Sequence, residues 1–263
     1  MRCRFLPETD MSRRIRKHAN PFTVLTHLGP LDRTALFGRT APLEIDLGCG
    51  GGTFLLDRAA AHPERDFIGL EIRKPLVDDN NRRVERRGLT NLRFFYANAN
   101  INLDDQPAGS VDRFFVMFPD PCFKKRHWKR RILQPKLVRE MTLALPIGGQ
   151  IFAQSDIRPL AEEMLAFLTQ ESALRPLLGD SLQTPSPFAQ KTEWERHHEA
   201  AGEPVYRMLF EKTMEPAGPI PEPEFRDTNP KRVNADGSRV EAIDPAFRLE
   251  PSVPSSPGEP SKP

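Results

Sequence analysis

The segment FPDPCFKKRHWKRR, residues 118–131, places one carboxylate, Asp120, between two prolines and just before a dense group of cations. Six of its last eight residues are lysine or arginine, and His127 and Trp128 lie among them. Proline fixes φ and so limits the movement of the carboxylate. Cations interleaved with rings are typical of proteins that contact nucleic acid. The pattern favours a site that holds one base while it binds phosphates, and a solvated basic face is the alternative.

A glycine-rich turn in LEIDLGCGGG, residues 43–52, forms a second group of candidates. Gly48 and the two alternate glycines after it would let the backbone turn tightly and approach a ligand at a helix start, although glycines also serve purely structural turns. Thr53 stands where the dinucleotide pattern G-x-G-x-x-G needs its third glycine, and no G-K-[ST] follows. A dinucleotide fingerprint and a P-loop are therefore excluded. Two carboxylates, Glu44 and Asp46, precede the turn on one face of the predicted strand.

Glu71 and Asn98 end the next two predicted strands. A carboxylate at Glu71 suits the two hydroxyls of a ribose, and the side-chain oxygen of Asn98 suits an adenine amino group. The alternatives are a solvated strand end and a turn former, respectively. Three successive strand ends with such groups fit a nucleoside ligand. The carboxylates favour one that carries a cationic methionine tail, which is S-adenosylmethionine.

These candidates follow strands in a pattern that alternates strand and helix signals. Strands are predicted at 42–48, 66–71, 91–98, 111–119, 150–156 and 204–212, and helices at 53–62, 74–88, 135–149 and 157–170. The alternation predicts an α/β fold with a doubly wound, mostly parallel sheet. Ligands bind such sheets beyond the carboxyl ends of the strands.

The composition bounds the domain organisation and the compartment. The chain has 263 residues, a net charge of +2 and 38% hydrophobic residues, enough for one large domain. We predict a basic N-terminal arm over 1–40, a catalytic domain over 41–213, and a tail over 214–263. The tail holds eleven of the 27 prolines and is predicted to be disordered.

Three unpaired cysteines indicate neither a disulfide framework nor a zinc site. They favour a reducing cytoplasm. No apolar run is long enough for a membrane span, and no secretion-signal core is present. The sequence leaves the oligomeric state open.

From about Arg13 to Lys212 the chain resembles the bacterial tRNA (guanine-N7)-methyltransferases. FPDPCFKKRHWKRR is similar to their F-P-D-P-W-x-K-x-R-H-x-K-R-R segment, and LEIDLGCGGG to their L-E-I-G-x-G-x-G turn. Five more segments resemble family segments in the same order along the chain. They are the basic RRIRKHANPF, IGLE, NLRFFYANA, AQSDIRPLAEEML and TEWERHHEAAGEPVYRMLFEK.

The resemblance implies a Rossmann-like class I methyltransferase fold with an antiparallel late strand. It implies S-adenosylmethionine as methyl donor, no metal, and N7 of guanine 46 in the tRNA variable loop as acceptor. Asp120 is implied as the active-site carboxylate. Cofactor contacts are predicted at Glu44, Gly48, Glu71, Asn98 and Asp120. tRNA contacts are predicted at Lys124, Arg126, His127, Trp128, Lys129, Arg130, Arg131, Asp156, Thr192, Glu193, Trp194 and Glu195.

Two residues depart from the family pattern: Asn98 stands where the family has Asp, and Cys122 where it has Trp. Asp156 and Thr192 also suit helix capping. His197 and His198 are predicted to be surface residues.

Two other functions stay open from the residues alone. One is a methyltransferase with the same cofactor and another RNA or small-molecule target, and the other is a non-catalytic RNA-binding relative.

Overall fold

A seven-stranded sheet forms the centre of the protein, in a computed structural model that describes residues 19–179, 182–225 and Thr228. The strand order is β3-β2-β1-β4-β5-β7-β6. The strands are β1 Leu43–Leu47, β2 Asp66–Glu71, β3 Leu92–Tyr96, β4 Arg113–Met117, β5 Gln150–Ser155, β6 Leu174–Pro176 and β7 Tyr206–Lys212. The first five run parallel, and β7 pairs antiparallel with both β5 and β6. The predicted fold class, with its antiparallel late strand, is confirmed.

Helices connect the strands and end where local chemistry stops them. They are α1 Arg33–Phe37, α2 Thr53–Ala61, α3 Lys74–Arg87, α4 Pro135–Ala144, α5 Arg158–Gln170 and α6 Glu193–Ala201. Gly88 ends α3 in the left-handed conformation, as predicted. Helix α4 stops at Ala144, earlier than predicted, because Leu145 precedes Pro146 and takes an extended conformation. Helix α1 and strand β6 were missed because each is very short.

Two apolar clusters pack on the sheet. One gathers residues of α4 and α5, such as Leu137 and Met164, and the other gathers residues of α2 and α3, such as Phe54 and Val77. The strands between them are buried along most of their length. The carboxyl ends of β1 to β5 share one edge of the sheet. At β1 the chain order reverses between β2 and β4, which makes this edge the expected ligand site.

The folded domain continues beyond the predicted boundary at residue 213. Arg139 donates to the backbone carbonyls of Ala217 and Gly218, and Phe225 packs against Trp128. Contacts with Arg139 and Trp128 hold this proline-rich segment although its own apolar content is low. Composition alone does not reveal such contacts. Residues 1–18 of the basic arm and 229–263 of the tail lie outside the described residues, so the predictions there stay predictions. Within the part of the chain that the structure describes, no helix has the length and apolar character needed to cross a bilayer.

Candidate active site

A cavity of about 520 Å³ opens at the carboxyl edge of the sheet. Its walls come from the ends of β1, β2 and β3, from the loops after β4 and β5, and from α6. Seven of the predicted site residues line it: Gly48, Glu71, Asn98, Asp120, Arg130, Asp156 and Trp194. The structure therefore brings cofactor and substrate candidates to one place.

The glycine turn follows β1 and reaches the cavity through Gly48. Gly48, Gly50 and Gly52 all have positive φ, at 80°, 55° and 68°, a conformation that side chains with Cβ disfavour. A Cβ on Gly52 would lie 2.8 Å from the side chains of Asn80 and Phe94. The turn thus requires glycine for its conformation and, at Gly52, also for space.

Glu44 is not brought to the cavity. It lies near the start of β1 and is fully buried, and its carboxylate receives hydrogen bonds from Arg58, Arg65 and Arg113. These contacts make Glu44 the centre of a buried ion network at the opposite end of the strand. The predicted cofactor contact at Glu44 is therefore corrected.

Asp46 is the carboxylate that adjoins the turn, directly before the cavity residues Leu47 and Gly48. Burial and then the negative charge of Glu71 raise the pKa of Asp46 to about 8. Its Oδ1 has no hydrogen-bond partner among the described residues. The spacing could have identified this residue. In D-x-G-x-G-x-G, Asp46 lies two positions before the first glycine, whereas Glu44 lies four positions before it. Both side chains point to the same face of the strand, and that of Asp46 is nearer to the turn.

Glu71 ends β2 with its carboxylate already engaged. It accepts the Gly50 N–H at 2.9 Å and a forked pair of bonds from Arg73, each 3.0 Å long. Arg73 also lines the cavity. A ligand hydroxyl that binds Glu71 would compete with the Arg73 guanidinium for the same oxygens.

Asn98 lines the cavity and also anchors an N-terminal strap, defined as residues 19–31. Its Nδ2 donates to the Pro21 carbonyl at 3.0 Å, and its Oδ1 accepts the Asn100 N–H at 3.1 Å. An aspartate at this position would lack the donor. Asn98 is therefore suited to hold Pro21, itself a cavity residue, in addition to any ligand contact.

Two further amides, four and eight residues later, hold the rest of the strap. Asn102 bonds Thr26 and Leu28 of the strap, and Gln106 bonds Gly29 and Leu31. Asn102 and Gln106 also donate to the backbone of Asn98 and Asn102, respectively. All three amides are buried. The spacing N-x-x-x-N-x-x-x-Q is the sequence signal from which this row of amides could have been predicted.

Asp120 lies exposed at the cavity wall in a backbone that is strained on both sides. Its Oδ1 accepts the Cys122 N–H at 3.0 Å. Phe118 and Cys122 have φ values of 50° and 44°, which non-glycine residues rarely adopt. Such strain concentrates at functional sites. Burial and then the nearby Asp120 charge raise the pKa of the Cys122 thiol to about 12, so the sulfur stays protonated at neutral pH.

The cation run forms a short 3-10 helix, Lys125–Arg130, beside this carboxylate. Four of its cations are exposed: Lys124, Lys125, Arg126 and Lys129. Within the described residues, no carboxylate forms an ion pair with any of these four. Partial desolvation, followed by the charges of Arg130, Arg126 and Lys124, lowers the pKa of His127. These charges disfavour protonation of the ring in the free protein.

Arg131 departs from the prediction because it is buried, with 2% of its surface exposed. Its guanidinium pairs with both oxygens of Glu163 on α5, at 2.8 and 2.7 Å. Its Nε donates to the Pro121 carbonyl at 2.8 Å. Arg131 therefore serves the fold of the carboxylate segment, and the predicted tRNA contact is corrected.

Asp156 follows β5 and faces the cavity. Helix α5 is capped by Ile157 without any side-chain bond, so Asp156 does not cap it. Instead its Oδ2 accepts from the Trp194 indole at 3.3 Å and lies 3.3 Å from His198 Nε2. His198 is buried and stacks on Phe118, because α6 turns this face toward the strained loop. The predicted surface position of His198 is corrected, whereas His197 is exposed as predicted.

The remaining α6 candidates divide into structural and exposed residues. Thr192 caps the helix by accepting the Glu195 N–H at 2.9 Å. Glu195 is buried against Arg207 at 2.8 Å, so its predicted contact with tRNA is corrected. Glu193 is exposed and accepts from Thr53, and Trp194 is 51% exposed at the cavity mouth.

The chain is similar in sequence to known methyltransferases. A family model described as "Putative methyltransferase" matches residues 40–208. Over 206 residues the chain is 39% identical to a tRNA (guanine-N(7)-)-methyltransferase of Trichormus variabilis, which covers 76% of this chain and 96% of that protein. It is 40% identical over 205 residues to the protein of the same name from Synechococcus elongatus, with 75% and 95% covered.

Among solved structures, the 16S rRNA methyltransferase KamB superposes with a TM-score of 0.51 at 16% identity. The match covers 69% of this chain and 92% of that chain. At this identity the likeness concerns the fold alone.

Proposed function

The chain belongs to the tRNA (guanine-N7)-methyltransferase family, and from this premise we propose that its cavity joins S-adenosylmethionine to guanine 46 of the tRNA variable loop. The observation that carries the proposal is the position of Asp120. Its strained, proline-flanked segment borders the cavity on one side and the exposed cations Lys124, Lys125, Arg126 and Lys129 on the other. The cytoplasm, where tRNA is found, is the proposed location.

The residues around the glycine turn fit S-adenosylmethionine. Gly48 of the turn lines the cavity with positive φ, and the buried Asp46 presents an oxygen without a hydrogen-bond partner among the described residues. Asp46 and Glu71 suit a cationic ligand. We assign the turn and Asp46 to the methionine part, Glu71 to the ribose hydroxyls, and Asn98 to the adenine side. When bound, the cofactor supplies an electrophilic methyl group on a sulfonium sulfur.

Asp120 acts on the guanine. N7 has an in-plane lone pair and no proton to lose, so the reaction needs no general base. The guanine becomes cationic as it is methylated, and the Asp120 carboxylate stabilises that charge and accepts from the N–H groups of the base. Its fixed backbone holds the base in line, so alignment provides much of the rate enhancement.

The exposed cations and the aromatic residues hold the tRNA. Lys124, Lys125, Arg126 and Lys129 bind phosphates. Trp194 lies at the cavity mouth with its N–H on Asp156, where its exposed ring can stack on a base. His127 provides a second ring and a hydrogen-bonding nitrogen.

Single-turnover methylation with the full-length chain tests this proposal. A tRNA transcript with guanine 46 should acquire one methyl group at N7, read by nucleoside mass analysis, and the same transcript with adenine 46 should not. Asp120→Asn should lower the rate roughly a hundredfold while tRNA affinity changes little. The control Asp105→Asn replaces an exposed carboxylate away from the cavity.

Two results would contradict the proposal. Equal methylation of both transcripts would exclude guanine 46 as the target. Wild-type turnover in Asp120→Asn, with unchanged folding, would remove Asp120 from the reaction.

A further inference from the structure

Arg131 joins three separate parts of the chain at one buried point. It bonds the Pro121 carbonyl next to Asp120, the Glu163 carboxylate on α5, and the Thr228 hydroxyl at 2.7 Å. Thr228 is itself fully buried. A guanidinium whose Nε, Nη1 and Nη2 each bind a different part of the chain has little freedom to move. The position of the Pro121 backbone therefore depends in part on a residue of the segment 214–263, which the composition predicts to be disordered.

Phe225 packs against the cation run. Its ring meets the edge of Trp128, with 6.1 Å between centroids and 87° between planes. Lys125 Nζ lies 5.7 Å from the ring centroid, and Arg131 Cζ lies 5.8 Å from it. The face of an aromatic ring attracts cations and the edge of another ring packs well on it. One side chain thus contacts three members of the run.

The cation run needs such support because little within it favours its structure. It is a 3-10 helix of six residues, a geometry with poorer hydrogen bonds than an α-helix. It has no side-chain N-cap, and its neighbouring cations repel each other. The face of the Phe225 ring attracts cations and so offsets that repulsion.

These supporting residues lie beyond the end of the family model. The family model ends at residue 208, whereas the contacts come from residues 217–225 and from Thr228. We call these residues the C-terminal brace. Arg139, which also pairs with Glu171, fastens its beginning through the carbonyls of Ala217 and Gly218.

We propose that the C-terminal brace is part of the tRNA-binding machinery, with Phe225 and Thr228 as positioning residues. Phe225 holds the 3-10 helix so that its exposed cations face the tRNA. Thr228 acts through Arg131 and the Pro121 carbonyl to hold Asp120. The proposal rests on the proposed function above, because it assigns tRNA as the partner of the cation run.

The test compares four full-length proteins: wild type, Phe225→Ala, Phe225→Tyr and Met214→Ala. Phe225→Ala should raise the KM for tRNA roughly tenfold and leave the cofactor Kd within about twofold. Phe225→Tyr keeps the ring and should restore the wild-type KM. Met214→Ala removes an exposed apolar residue just before the brace and should behave like wild type.

Thr228→Val tests the second contact with nearly the same side-chain volume. It removes the hydroxyl that Arg131 binds, so the single-turnover rate should fall severalfold while the KM for tRNA changes less. If Phe225→Ala and Thr228→Val both match Met214→Ala in KM and rate, the proposal is overturned. It is equally overturned if Phe225→Ala weakens cofactor and tRNA binding alike and Phe225→Tyr restores neither.

Hydrogen exchange separates failure of this proposal from failure of the proposed function. If the wild-type chain does not methylate tRNA at guanine N7, the proposed function fails. Exchange at residues 124–131 then still tests the brace: it should be faster in Phe225→Ala than in wild type and Met214→Ala. Equal exchange in the three proteins would overturn the brace.

Discussion

Replacing Asp46 by asparagine should remove a pH dependence of stability that this carboxylate creates. Burial, with the charge of Glu71, raises the pKa of Asp46 from 3.8 to about 8 in the folded chain. The folded protein therefore prefers the neutral acid, whereas the unfolded chain ionises near the ordinary value. Because the folded-state pKa is the higher one, this contribution to stability is fully present below the unfolded pKa. It is lost as the pH rises through the folded pKa.

The size of the effect follows from the two pKa values. Each pH unit between them lowers the free energy of unfolding by ~1.4 kcal/mol. From pH 5 to pH 7, the wild type should lose about 3 kcal/mol that Asp46→Asn does not lose. Asparagine has nearly the same shape and does not titrate, so the difference between the two profiles isolates this one group.

Urea denaturation at several pH values between 5 and 9 measures the effect. The free energy of unfolding of Asp46→Asn minus that of the wild type should rise up to about pH 8 and then level off. Asp78→Asn, an exposed change on α3, should keep the pH dependence of the wild type. Saturating S-adenosylmethionine should reduce the difference, because a cationic ligand favours the ionised carboxylate.

Parallel profiles for wild type and Asp46→Asn between pH 5 and pH 8 would refute this reasoning. They would mean that the ionised carboxylate is already stabilised in the free protein, so that burial does not govern its charge.

Three further changes test other assignments. Asn98→Asp removes the donor to the Pro21 carbonyl. Hydrogen exchange in the strap should therefore increase, and the cofactor Kd should rise by roughly tenfold. Unchanged exchange would show that Asn102 and Gln106 suffice to hold the strap. Glu44→Gln leaves the buried Arg58 and the partly exposed Arg65 and Arg113 without their carboxylate. It should lower the free energy of unfolding by about 3–5 kcal/mol, with little change in cofactor Kd when titrated below the denaturation midpoint. A specific loss of affinity would return Glu44 to the ligand site. Trp194→Ala should raise the KM for tRNA roughly tenfold, because the stacking ring is lost. Trp194→Phe keeps a ring and should bring the KM most of the way back to the wild-type value. An equal rise in KM in both variants would indicate that Trp194 acts through its hydrogen bond to Asp156 and not through stacking.

Features that depend on neighbouring residues were predictable from the sequence. The alternation of strands and helices, the glycine turn and the Gly88 helix end each follow from local periodicity or backbone conformation. The Pro-Asp-Pro segment was likewise identified as a rigid carboxylate beside cations. These predictions succeeded because the interactions that determine them lie within a few residues along the chain.

Burial and pairing of charged residues depended on the tertiary structure. Arg131 looks like its exposed neighbours in sequence, but Glu163 and Thr228, distant along the chain, surround it in space. Glu44 and Asp46 lie on one strand, yet three arginines from other elements enclose the first and the glycine turn adjoins the second. The sequence by itself determined which elements form and which residue types meet at the carboxyl edge of the sheet. Only the tertiary structure decided which charges face the cavity, because a charge is buried or exposed according to groups that packing brings together from distant parts of the chain.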